Sequence, residues 1–407
     1  MKMVKGGVCA AKGFYGAGAE AGVKYKNRKD MALIYSEVPC VCAGTFTTNV
    51  VKAAPVIWDR DIVDNSPYAQ AIIVNSGIAN ACTGQEGMDC CKKEAEAAGA
   101  ALNIPVNSVL VGSTGVIGMQ MPVDKLIAGI QMLAEKKEHS IEAAQYAAEA
   151  IMTTDTVDKQ AAVSFVIGGK TVTMGGMCKG SGMIHPNMCT MLSYVTSDVA
   201  ISKELLKKAV KESIVDTYNM VSVDGDTSTN DTFLLLANGM AENPEINKEN
   251  EDYEVFKEAL LKINTILARK IAGDGEGATA LFEVQVVGAK TKEAARLLSK
   301  SVICSSLTKA AIFGRDAYWG RILCALGYAG VDFDPEKVEV FFKSISGCIR
   351  IYGDGGGLDY SQEESVKILS DKEVTVLVDM HMGTETATAW GCDLSYDYVK
   401  INADYRS

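Results

Sequence analysis

Over residues 31–76 the chain alternates β-branched and aromatic runs with turn signals. The runs are "MALIYSEV", "CAGTFTTNVV", "AAPVIWD" and "AQAIIVNSG", and they predict a strand-rich stretch. The period then changes. "GMDCCKKEAEAAGAALN" (87–103) puts apolar positions at helical spacing with charges opposite, which predicts a helix. "SVLVGSTGVIG" (108–118) reads as a strand entering a glycine-rich loop. "PVDKLIAGIQMLAEKK" is a helix with Pro122 near its start, where proline is tolerated. "SIEAAQYAAEAIMTTD" is a helix with Ser140 as its N-cap candidate. "QAAVSFVIGGKTVTMGGMCKGSGM" reads as a hairpin around "GGK". A strand follows Thr190, then the helix "SKELLKKAVKESIVDTYN" capped by Ser202. "DGDTSTNDTFLLLANG" is a polar loop feeding an apolar strand. "ENPEINKENEDY" is an exposed loop, and "EDYEVFKEALLKINTILARKIAGDGEGA" is a long helix ending in glycines. From "LFEVQVVGAKT" onward strands and helices alternate. Strands often come in adjacent runs, so the pattern favours mixed or antiparallel sheets packed with helices over a doubly wound parallel sheet.

Composition narrows the classes. With 407 residues, 48% apolar and 22% charged, the chain has room for two or three structural units with a large core. A net charge of −11 without a sustained basic run argues against nucleic-acid binding, which needs clustered Lys and Arg. The N-terminus lacks the apolar core of a signal peptide. No stretch approaches the length of a membrane span, so the expected location is the cytoplasm. Twelve cysteines and three histidines include no C-x-x-C pair, so no metal site is expected. The cysteines read as reduced core residues.

Three glycine segments, "GSTGVIG" (112–118), "GDGEGATA" (273–280) and "GDGGG" (353–357), match no nucleotide-binding fingerprint and read as tight turns. The first has a second reading. A strand ending in Ser-Thr-Gly can aim a hydroxyl and a backbone N–H at one point, as an oxyanion hole requires. In "NMCTMLSYVTSD" (187–198) two candidate nucleophiles, Cys189 and Thr190, stand side by side in what also reads as a plain buried strand.

Nine segments, in order and spanning nearly the whole chain, together resemble the ornithine acetyltransferase family, the glutamate N-acetyltransferases of arginine biosynthesis. They are "FTTNVVKAAPV", "NSGIANACTG", "STGVIG", "MTTDTVDK", "KGSGMIHPNMCTMLSYVTSD", "VSVDGDTSTNDT", "GDGEGATALFEV", "AIFGRDAYWGRI" and "ATAWGCDLSYDYVKINADYRS". Two positions depart from the family pattern: Ile78 and Tyr318 each stand where asparagine is common.

The resemblance implies a precursor that cuts itself between Cys189 and Thr190, giving an α chain (1–189) and a β chain from 190. Thr190 would then be the nucleophile. Its new α-amino group, with an ordinary pKa of about 7.7–8.0, can take the hydroxyl proton. The implied cycle is ping-pong: Thr190 takes the acetyl group of N-alpha-acetylornithine, and glutamate takes it from the acetyl-threonine. Thr114 and Gly115 match the oxyanion-hole pair. Thr153, Lys179, Thr190, Glu276, Asn402 and Ser407 match the substrate contacts, Lys179 suiting a carboxylate and Glu276 an amino group. No cofactor is implied, and acetyl-CoA stays open as a second acetyl donor. The implied fold is an α/β (α+β) helix–sheet–sheet–helix sandwich over 1–285 holding the threonine. A smaller C-terminal α/β domain over 286–407 would complete the site. The implied assembly is α2β2.

Each residue also has a plain reading. Thr153 could end a helix, Lys179 could be a solvated turn lysine, Glu276 could sit in a glycine turn, and Asn402 and Ser407 could be a frayed tail. His185 reads as structural or tuning. Two other functions compete: a self-processing amidohydrolase or aminopeptidase of related fold with water as acceptor, and a binding protein without turnover.

Overall fold

The computed structural model describes residues 1–185 and 191–404. Cys189, Thr190 and Ser407 lie outside the described residues. The chain divides into two compact units. The first comprises Met1–Gly180, Pro186–Asn219 and Thr227–Leu267, and the second Ser181–His185, Met220–Asp226 and Ala268–Ser407. The second unit thus starts at Ala268 and collects two short excursions from earlier sequence, whereas the segments expected from sequence meet at 285/286.

The first unit holds strands β1 (Lys2–Met3), β2 (Phe14–Ala19), β3 (Met31–Phe46), β4 (Ala69–Ile78), β5 (Val109–Val116), β6 (Lys159–Ile167), β7 (Lys170–Lys179) and β8 (Leu192–Ser197). Of the next two strands, β9 (Val221–Ser222) belongs to the second unit and β10 (Thr232–Ala237) to the first. The sheet order is β1-β6-β7-β8-β10-β3-β4-β5, with β2 also on β3. The long strand β3 serves two neighbourhoods. Residues 31–36 pair with β2 and β4, and residues 41–46 pair with β10. Pro39 falls between, where pairing with β4 changes register.

The two parts of this sheet share one apolar interior. Ile72, Val74 and Leu110 from β4 and β5 join Met177, Leu192, Tyr194, Leu234 and Leu236 from β7, β8 and β10 in one buried cluster. Tyr194 lies over Gly112, where any Cβ would collide with its phenol oxygen. The opposite faces carry helices. The first four are α1 (Ala54–Asn65), α2 (Gly84–Leu102), α3 (Val123–Lys136) and α4 (Ile141–Ala150). α2 and α3 bury Ala95, Ala98, Leu126 and Ile130 against Leu33, Ala71 and Ile73. Next come α5 (Lys203–Val215) and α6 (Glu251–Gly273). Leu267 of α6 packs on Gly176 of β7, and Asn264 donates to Ser213 of α5 at 2.9 Å. Helix, sheet, sheet and helix therefore stack as the sequence led us to expect.

The second unit is built on a mixed sheet formed by β9, β11 (Leu281–Ala289), β12 (Glu339–Ser344), β13 (Gly347–Gly353), β14 (Gly356–Gly357), β15 (Glu373–Asp379) and β16 (Glu385–Cys392). Their order is β14-β13-β12-β15-β11-β16-β9. Its helices are α7 (Lys292–Cys304), α8 (Ser306–Phe313), α9 (Gly320–Gly327), α10 (Gln362–Leu369) and α11 (Tyr396–Ala403). Helix α11 buries none of its residues.

Ser140 and Ser202 cap α4 and α5 as expected, accepting from Ala143 and Leu205 backbone N–H groups. Two readings are corrected. "AAPVIWD" is the start of α1, not a strand: Pro55 sits in the helix's first turn, where its missing N–H costs nothing. The cysteines among the described residues are free, but Cys82, Cys324 and Cys348 are exposed, so not all are core residues. Among the described residues no helix is long and apolar enough to cross a membrane.

Candidate active site

In the first unit the site begins with β5. The strand does not stop before Ser-Thr-Gly but runs through it to Val116. Gly115 has φ +134°, and a Cβ there would collide with the carbonyl of Gly77 on β4. Only glycine fits, because φ is in the region L side chains avoid and the neighbouring backbone fills the space. Next to Gly115, the hydroxyl of Thr114 accepts from the Lys179 ammonium at 3.4 Å.

Lys179 ends β7 and is 8% exposed, so it is no solvated turn lysine. Its Nζ lies 4.0 Å from Asp155 Oδ2. Asp155 is a hub between α4 and β6. It accepts from Lys159 Nζ at 2.6 Å, from the Gly180 N–H at 2.8 Å and from the Thr153 N–H at 3.1 Å. Burial pushes its carboxyl up, but Lys179 and Lys159 and the hydrogen bonds from Lys159 and Gly180 outweigh burial and hold it at about 2. Thr153 lies beyond the end of α4, so its backbone serves this turn and not a helix terminus. Burial drives Asp231 well above the carboxylate range, against the pull of Ser228 and Lys179, and its Oδ2 has no hydrogen-bond partner among the described residues. Lys159 and Lys179 thus share the Asp155 carboxylate, with Asp231 buried close by.

In the second unit Glu276 is 6% exposed and its carboxylate lies directly over Gly182, where a side chain would collide with it. Its backbone N–H donates to Ser181 O at 3.0 Å. Asn402 of α11 donates to Glu276 Oε2 at 2.7 Å, so Asn402 is not a frayed residue. Asp224 accepts from the Met183 and Ile184 N–H groups at 2.7 and 2.9 Å and from Tyr398 OH at 3.3 Å. It thereby ties α11 to Met183 and Ile184. His185 Nδ1 faces Ser222 Oγ at 3.1 Å and Cys304 Sγ at 3.6 Å. Burial, aided by Lys300 and opposed by Asp224, depresses the imidazole to about 4, so it is neutral at pH 7.

The structure thus brings Thr114, Gly115, Thr153 and Lys179 into one unit and Glu276 and Asn402 into the other. Ile78 is buried at the irregular end of the β4–β5 pairing, and Tyr318 is exposed beside Trp319. Sequence reasoning missed Asp155, Asp224, Asn230 and Asp231. Asp155 and Lys159 do stand four apart in "MTTDTVDK", but that spacing is common on any polar loop. Nothing in "DGDTSTND" distinguishes the buried Asp231 from the half-buried Asp224 or the exposed Asp226.

A glycine-framed strand end beside buried charged groups suits one class of protein, the acyl-transfer enzymes. The family model that matches residues 15–407 is described as the ArgJ family, and the chain belongs to it. An "Arginine biosynthesis bifunctional protein ArgJ" from Thermotoga neapolitana is 50% identical over 397 residues, 97% of this chain and 99% of its own. The protein of the same name from Caldanaerobacter subterraneus is 49% identical over 407 residues, all of both chains. A solved structure described as ornithine acetyltransferase complexed with ornithine, from Mycobacterium tuberculosis, is 40% identical. It covers 46% of this chain and 98% of its own at a TM-score of 0.42.

Proposed function

We propose that this chain moves an acetyl group from N-alpha-acetylornithine to glutamate through an acetyl-threonine on Thr190, after self-cleavage of the Cys189–Thr190 bond. One observation carries the reading: the buried Lys179 Nζ lies at hydrogen-bond distance from the Thr114 hydroxyl, next to Gly115, whose backbone conformation and close approach to Gly77 admit only glycine. Lys179 receives a substrate carboxylate. Thr114 and Gly115 donate to the oxygen that becomes anionic as the hydroxyl attacks, and such stabilisation is usually the largest catalytic contribution. In the first half-reaction the Thr190 oxygen bonds to the acetyl carbon, the C–N bond breaks, and ornithine leaves with a proton. In the second the glutamate amine attacks the ester and Thr190 regains its hydroxyl. Glu276 receives the ammonium of the amino acid, with Asn402 orienting its carboxylate. The word "bifunctional" in the relatives' names supports acetyl-CoA as a second donor. The proposed assembly is a dimer of processed protomers, α2β2.

The test is an assay of acetyl transfer to glutamate from each donor separately, with wild type and Thr190→Ala. Wild type is expected to use acetylornithine, and Thr190→Ala to stay a single inactive chain. Cleavage or turnover in that variant overturns the assignment.

A further inference from the structure

We infer that Asn230 is a positioning residue for the oxyanion hole, holding the end of β5 where no neighbouring strand can. This rests on the reading of Thr114 and Gly115 as that hole. Among the described residues β5 is the last strand of its sheet, so no strand pairs with its outer side there, and buried backbone groups left unpaired are costly. Three side chains stand in for the missing strand at alternate residues. Trp58 Nε1 donates to Val109 O at 3.0 Å, and Asp59 Oδ1 accepts from the Val111 N–H at 2.8 Å. Asn230 Nδ2 donates to Ser113 O at 2.8 Å. The period of two matches the alternation of a strand's outward groups.

Asn230 also does what Trp58 and Asp59 do not. The same amide nitrogen donates to Ala79 O at 2.5 Å, so it ties the segment leaving β4 to the residue preceding Thr114. This is where the β4–β5 ladder becomes irregular, Ile78 pairing with both Thr114 and Val116. The ladder is therefore least able to fix Thr114 and Gly115 unaided. The amide is itself oriented: Thr229 Oγ1 donates to Asn230 Oδ1 at 2.7 Å, which turns the NH2 group to the two carbonyls. Asn230 is 7% exposed, and among the described residues its amide nitrogen bonds the Ala79 and Ser113 carbonyls and not Thr114 or Gly115. It acts through the strand end.

A double-mutant cycle tests this, with kcat expressed per cleaved chain as counted by mass spectrometry. Asn230→Ser leaves both carbonyls without the amide. It is expected to lower kcat roughly 10–100-fold, since small misplacements of catalytic donors cost that order, with KM for acetylornithine within about 3-fold. Thr114→Val is expected to lower kcat roughly 100-fold or more. In the Thr114→Val background Asn230→Ser should cost a clearly smaller factor than in wild type, because one of the two donors it positions is gone. Trp58→Phe, at the far end of the same edge, should lower the melting temperature and leave kcat unchanged. Equal factors for Asn230→Ser in both backgrounds, or a KM change with kcat intact, overturn the proposal. Full activity of Thr114→Val overturns the oxyanion reading instead. If Asn230→Ser does not fold, the isosteric Asn230→Asp, which turns an oxygen on both carbonyls, is judged by the same criteria.

Discussion

Buried carboxyls in this protein fall into two kinds, and their neighbours decide which. Asp155 is held ionised by two lysines. Its folded pKa, about 2, lies below the ordinary 3.8, so the stability it contributes is present above pH 3.8 and is lost as pH falls toward 2. Asp155→Asn strands Lys159 without its carboxylate. It should cost about 3–5 kcal/mol, as breaking one side of a buried pair does, read from urea unfolding at pH 7. Glu94 is the opposite case. Burial lifts it from 4.5 to about 7, its Cys90 hydrogen bond opposing, and its Oε2 has no partner. Its stabilisation is complete below pH 4.5 and is lost as pH rises through 7, with a slope approaching about 1.4 kcal/mol per pH unit. Glu94→Gln should flatten the urea midpoint between pH 5 and 8, and an unchanged slope would remove Glu94 from the account.

At the scale of elements, the site depends on how β5 ends. Gly115→Ala demands both a disfavoured φ and space that Gly77 occupies, so it should yield little folded protein or an inactive one. A variant of normal melting temperature and kcat would show that the strand end yields. The helices were legible because their apolar spacing and caps are local: Ser140 and Ser202 cap as the sequence states. α1 was not legible. Its "PVIW" is β-branched and aromatic, and its helical character is fixed by packing of Val56, Ile62 and Val63 on the sheet core. The edge-covering roles of Trp58, Asp59 and Asn230 were invisible for a related reason. They depend on β5 being the last strand of its sheet, a property of the assembled order of strands and not of any window of sequence. Asp224 is another such contact. Asp224→Ala frees the Met183 and Ile184 N–H groups and should slow formation of the second chain in a time course of cleavage; an unaltered rate would make Asp224 merely local packing.

For the whole molecule, a cut at Cys189–Thr190 would fall between β7 and β8, yet these strands lie side by side in one sheet. β10, from the later piece, pairs with β3 from the earlier one. The two pieces should therefore co-elute in native buffer and part only in denaturant; separation without denaturant would contradict the sheet order. The adjacent runs of strands made mixed sheets packed with helices legible, and the layered sandwich came from the family resemblance. The division of the chain was not, because Ser181–His185 and Met220–Asp226 join the second unit through contacts distant in sequence. The most direct measurement is mass spectrometry of the purified protein before and after exposure to N-alpha-acetylornithine without glutamate. Two chains, the later one beginning at Thr190 and gaining a single acetyl group that added glutamate removes, are expected. An intact chain, or a cut chain that never carries acetyl on Thr190 while transfer proceeds, would contradict the acetyl-threonine mechanism.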